Sequence, residues 1–159
     1  MGERLARLSS AGQGIWMWTA LAAGLLAGTV DIGSAALIYR VSPMVILRAI
    51  AGGLLGPAAV GMGWPVSLLG LALQWVMSVL IAAIFVRASV RMPGLRRRFV
   101  RAGCAYGLVV FVVMQFVVVP LSALHRWPHF TWPWLIENLL AMAVFGVLIA
   151  SVTRVRLPT

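Results

Sequence analysis

Lysine is absent from this chain, and only Glu3, Asp31 and Glu137 are acidic. Charged residues make up 10% of it, against about 25% in an ordinary soluble domain. That shortage excludes a conventional water-facing surface. The single cysteine, Cys104, excludes an internal disulfide and a cysteine-based metal cluster. Only two histidines occur, His125 and His129. Pro128 between them breaks helical spacing, and no neighbouring carboxylate or cysteine completes a ligand set, so neither a metal nor a cofactor is expected. Serine, histidine and cysteine form no recognisable nucleophilic constellation, so the chain is not expected to be an enzyme.

What is abundant is apolar sequence. Hydrophobic residues reach 62% and the mean hydropathy is +1.02. Several runs are long enough to cross a hydrocarbon core about 30 Å thick. The sequence predicts an all-α membrane protein, a single transmembrane domain over 1–159. Its four helices are placed at about 15–39, 65–86, 103–121 and 133–152. A short re-entrant or interfacial segment, about 42–62, separates the first from the second. The first run lacks a convincing signal-cleavage site and is expected to be retained. Trp16 and Trp18 suit the inner membrane interface; Tyr39, Trp127, Trp132 and Trp134 suit the outer one.

The segment between the first two spans is unusual. Ser42 is a good helix N-cap and Pro43 fits the first helical position. The helix then meets Gly52-Gly53 and Gly56-Pro57, which argue, with Arg48, against a full span. A second short helical piece is expected over LLGPAAV. Elsewhere, small residues recur at helical spacing. Gly24 and Gly28 share one face of the first span with Ala20, and Gly103 and Gly107 share one face of the third. Such faces let helices approach closely. Pro120 is expected to end or kink the third helix.

All 13 basic residues are arginine, giving a net charge of +10. They lie mostly just outside the apolar runs, and no basic face remains for nucleic acid once those runs are removed. Arg87, Arg91, Arg96, Arg97, Arg98 and Arg101 crowd the connector after the second span. The positive-inside rule places this connector in the cytoplasm with Arg4, Arg7, Arg154 and Arg156. Only Arg40, Arg48 and Arg126 then fall outside. Both termini are therefore expected in the cytoplasm, and Arg96, Arg97, Arg98 and Arg101 are expected to meet anionic lipid headgroups.

Asp31 lies within the first span, where a carboxylate costs roughly 2.5–3.5 kcal/mol near the bilayer centre. It is expected to face the bundle interior or water, to pair with a cation or to be protonated, and Arg48 is the natural candidate partner. Counted at about 1.5 Å per residue, Asp31, Gln74, Gln115 and Glu137 all fall in the outer half of the membrane. With Arg48 they are expected to form a polar pocket above an apolar inner seal. Two functions compete. One is a non-enzymatic accessory or structural subunit that associates with other membrane helices as a homo-oligomer or in a complex. The alternative is a small proton- or ion-coupled transporter or channel using Asp31.

Three runs carry a resemblance: Thr29-Val30-Asp31-Ile32, Val41-Ser42-Pro43 followed by Ile50 to Gly56, and Val118 to Ser122. Together they resemble a family of small four-helix bacterial inner-membrane proteins, loosely similar to the YagU-type proteins. The resemblance spans about 20–152 and implies a bacterial inner-membrane location and this architecture. In that family pattern histidines stand where this chain has Gln74 and near Met142. Any family chemistry using them would be missing here.

Overall fold

The computed structural model describes residues 2–125 and 131–157, with side-chain surroundings from residue 14 onward. Arg126, Trp127 and His129 therefore lie outside the described residues, as do the side chains of Arg4 and Arg7. Helix α1 covers Gly2–Tyr39 and α2 covers Pro43–Leu55. A 3₁₀ turn, Pro57–Gly61, leads to α3, Trp64–Arg91. A single short helix, α4 (Pro93–Arg97), precedes α5 (Phe99–Val113). A π-helical turn over Met114–Val118 joins α5 to α6, Val119–Leu121, and α7 covers Trp132–Arg156. There is no strand among the described residues.

Four stretches are long and apolar enough to cross a membrane: Gly14–Tyr39, Trp64–Arg91, Phe99–Leu121 and Trp132–Arg156. With α2 as a shorter apolar helix between the first two, this is a multi-pass, all-α membrane protein. The helices are longer than the apolar runs that announce them. At 1.5 Å per residue, α3 extends about 42 Å. It therefore carries Arg87 and Arg91 in its last turns instead of in a connector. The second piece expected after α2 is a 3₁₀ turn, because Gly56 breaks the helix with a φ of 82° and Pro57 starts a new, tighter one.

Local rules account for the main boundaries. Ser42 is the N-cap of α2 and Pro43 its first residue, although the Ser42 hydroxyl makes no cap hydrogen bond. At the end of α1, Arg40 takes a left-handed conformation, φ 53°. Its N–H donates to Leu37 O and that of Val41 donates to Ala36 O, the paired bonds of a Schellman stop. Pro120 has no N–H to give its own helix and crowds the carbonyl one turn back. The widened π turn lies directly before α6, which contains Pro120, and such bulges absorb one residue of misfit.

Small residues set the packing. A methyl added at Gly24 would press on the backbone of Val79, and one at Gly28 on Ser78, so α1 and α3 cross at close range. Gly103, Gly107 and Gly146 place α5 and α7 in backbone contact in the same way. In a bilayer, such contact supplies the van der Waals attraction that holds helices together. Gly70 of α3 lies against the Leu47 carbonyl, which seats α2 on α3. Ala23, Ala27, Ala82, Phe85, Val110, Phe145, Ile149 and Ala150 form the buried core between the four spans. Helix α1 packs on both α3 and α7, and α7 packs on α5. Between α3 and α5 the bridge is Tyr106: its ring centroid lies 5.1 Å from that of Phe85 and its hydroxyl donates to Ile81 O at 2.7 Å.

Candidate functional site

The two ends of the bundle differ. At one end Arg96 Nη1 donates to Leu157 O at 2.9 Å, and the Arg154 guanidinium lies 4.6 Å from the Phe99 ring centre. Gly14, Ile15, Trp18 and Thr19 share a groove with Arg156 there. The start of the first span, the arginine connector and the end of α7 thus meet at one end. Arg97, Arg98 and Arg101 are exposed there, while Arg96 is half-buried and caps the last helix. At the far end Trp134 Nε1 donates to Tyr39 Oη at 2.9 Å, which ties the start of α7 to the end of α1.

The polar residues of the far half are divided among different places. Gln74 Nε2 donates to Asp31 Oδ2 at 2.8 Å, joining α3 to α1. Beside this pair, Trp75 Nε1 donates to Thr29 Oγ1 at 3.2 Å. The expected pair of Asp31 with Arg48 is not formed. Arg48 Nε donates to Met44 O at 3.2 Å and Nη1 to Met62 O at 2.9 Å. Its guanidinium fastens α2 to the segment after the 3₁₀ turn. Gln115 is half-buried on the π turn, and Glu137 is exposed on α7. Asp31 and Gln74 are the only two of the five that a hydrogen bond brings together.

The far half instead holds an open-sided cavity of about 1010 Å³, with Tyr39, Val41, Leu54 and Leu121 exposed along its mouth. Helix α2 supplies one wall through Val45, Ile46, Ala49, Ile50 and Gly53. Those positions recur at four-residue spacing, so they share one face of the helix. Leu73, Gln74 and Met77 of α3 line it as well, as do Met114, Val118 and Val119 of the third span. The turn Ser122–Leu124 completes it, and Ala123 N–H donates to Gly53 O at 2.8 Å, latching α2 to the end of the third span. The lining is largely aliphatic, with Met77 and Met114 among its apolar side chains and Tyr39, Gln74 and Ser122 as its polar ones. The hydroxyl of Ser122 donates to Val119 O, and that of Tyr39 accepts from Trp134. The cavity exists because α3 and the third span are bridged lower down by Tyr106 and are spanned by α2 above.

Sequence reasoning located Gln74 but not this cavity. Its signal was present in α2, where the face 45/46/49/50/53 has no polar residue, and in Met77 and Met114, whose flexible side chains suit an adaptable lining. Among the described residues no three histidine, cysteine, aspartate or glutamate side chains converge as metal ligands. Comparison of the chain with family models, curated proteins and solved structures found no match.

Proposed function

We propose that this chain is a non-enzymatic accessory protein of the bacterial inner membrane that holds an apolar molecule in the cavity beneath α2. The cavity itself carries the reading. A space of about 1010 Å³ lined almost wholly by aliphatic side chains stands at the upper end of the range for ligand sites. Its walls offer few polar partners, whereas a water held against protein needs two to four. An apolar occupant keeps every contact.

Small-residue faces of the spans could in principle meet other membrane helices. Those of Gly24, Gly28, Gly103 and Gly107 are filled from within the chain, so association runs through other surfaces or through the cavity. The gathering of arginines at one end supports an orientation with both termini in the cytoplasm and anionic headgroups at that end. The resemblance to YagU-type proteins agrees with a bacterial inner membrane.

The test is photo-crosslinking of the full-length protein in bilayers doped with a diazirine-bearing acyl lipid. Adducts concentrated on α2, Met77 and Met114, and lost when Ala49→Trp fills the space, are the expected result. Adducts confined to the outward lipid-facing residues, unchanged by Ala49→Trp, contradict the reading.

The Asp31–Gln74 pair within the spans favours a second reading, a proton- or ion-coupled transporter. It predicts flux in proteoliposomes that Asp31→Asn abolishes. Flux unchanged by that substitution removes it.

A further inference from the structure

The lining of the cavity keeps one amide acceptor without a donor, and its orientation is fixed from behind. Gln74 lines the space, and its amide nitrogen is drawn to Asp31 Oδ2. The NH₂ end of the amide faces the carboxyl group, the orientation that suits a carboxylate, which accepts hydrogen bonds and does not donate them. The carbonyl oxygen, Oε1, is the end that remains. No donor among the described residues is bonded to it: the hydrogen bonds of Gln74 are complete with the one to Asp31. Of the other polar side chains of the lining, Ser122 donates its hydroxyl to Val119 O, while Tyr39 accepts from Trp134 and keeps its own O–H as a donor; among the described residues Gln74 Oε1 is the acceptor left without a donor.

Charge sharpens the choice. The lining contains no arginine; of the two arginines adjacent in sequence to lining residues, Arg48 is spent on two backbone carbonyls and Arg40, between Tyr39 and Val41, is exposed. An anionic headgroup would find no cation inside and a carboxylate close behind Gln74. A cationic group would have to leave water for an aliphatic wall at high cost. A neutral hydroxyl fits: it donates one hydrogen bond to Oε1 while its hydrocarbon lies along Ile46, Ile50, Met77 and Met114.

We propose that the cavity selects an uncharged, long-chain apolar molecule bearing a hydroxyl group, which donates to Gln74 Oε1, with Asp31 as the positioning residue that sets the amide. This rests on the cavity being a ligand site.

Native mass spectrometry of the full-length protein, released from detergent with a long-chain primary alcohol and its methyl ether in equal amounts, tests it. The two probes differ in one hydrogen-bond donor. Wild type is expected to retain the alcohol about three- to ten-fold over the ether, the value of one such bond. Gln74→Leu is expected to bring the ratio to parity. Asp31→Asn, whose amide can face Gln74 either way, is expected to reduce it to less than half. A ratio is read within one folded sample, so partial unfolding of a variant does not imitate the result. Equal retention of both probes by wild type overturns the proposal while leaving the cavity a ligand site. A preference that survives Gln74→Leu, or survives undiminished in Asp31→Asn, overturns it too. Retention of neither probe overturns this proposal and the ligand-site reading together.

Discussion

The amide nitrogen of Gln74 on α3 and Oδ2 of Asp31 on α1 are 2.8 Å apart. This bond, and not an ion pair, is how the first span carries its carboxylate. Removing the amide with Gln74→Leu strips Asp31 of this donor and should destabilise the bundle by roughly 1 kcal/mol, the usual worth of an interhelical hydrogen bond in a membrane. The double variant Asp31→Leu/Gln74→Leu leaves nothing polar unpaired and should regain the loss. Thermal unfolding in detergent measures both. A double variant less stable than Gln74→Leu would contradict the pairing.

The seat of α2 on α3 depends on Gly70. A Cβ there would overlap the Leu47 carbonyl, so Gly70→Ala should cost about 1–3 kcal/mol, as overpacking does, and should loosen the cavity wall. Gly33, with nothing near its missing Cβ, is the control. Gly33→Ala should be neutral or stabilise by about 0.5–1 kcal/mol. Limited proteolysis between α1 and α3, together with melting temperature, should rise in susceptibility and fall in temperature only for Gly70→Ala.

Arg40 occupies a left-handed position where glycine is at ease. Arg40→Gly should therefore stabilise the chain by about 1 kcal/mol. The check is again the unfolding midpoint. A lower midpoint would mean that the guanidinium contributes more than the backbone strain costs.

Two adjacent arginines should behave differently. Arg96 caps Leu157 O and is half-buried, whereas Arg97 is exposed. Arg96→Gln should cost about 1.5–3 kcal/mol, the value of a hydrogen bond from a charged group, and fray the end of α7. Arg97→Gln should leave stability unchanged within about 0.5 kcal/mol. Hydrogen exchange over 150–157 distinguishes them.

The spans and α2 were legible in the sequence because apolar length and the Ser42-Pro43 start report local physics. Which side chains meet was not. Counting residues gives the depth of Asp31, Arg48 and Glu137 but not the direction in which each helix turns them. Arg48 found backbone acceptors at Met44 and at Met62, the second presented by a 3₁₀ turn that composition alone does not announce. The π turn around Gln115 shifts the register of the third span before Pro120, so a plain 3.6-residue wheel misplaces that residue. The cavity is a product of packing. It needs Tyr106 to bridge α3 and α5 at one level and α2 to cross at another, and neither distance is written in any one segment.

The central claim is that the space beneath α2 is a ligand site. Native mass spectrometry of full-length protein extracted from its own membrane tests it most directly, wild type beside Ala49→Trp. Wild type should emerge carrying an apolar molecule that Ala49→Trp lacks, with both proteins equally helical. A wild type that emerges bare, or an Ala49→Trp variant carrying the same adduct, would contradict the claim.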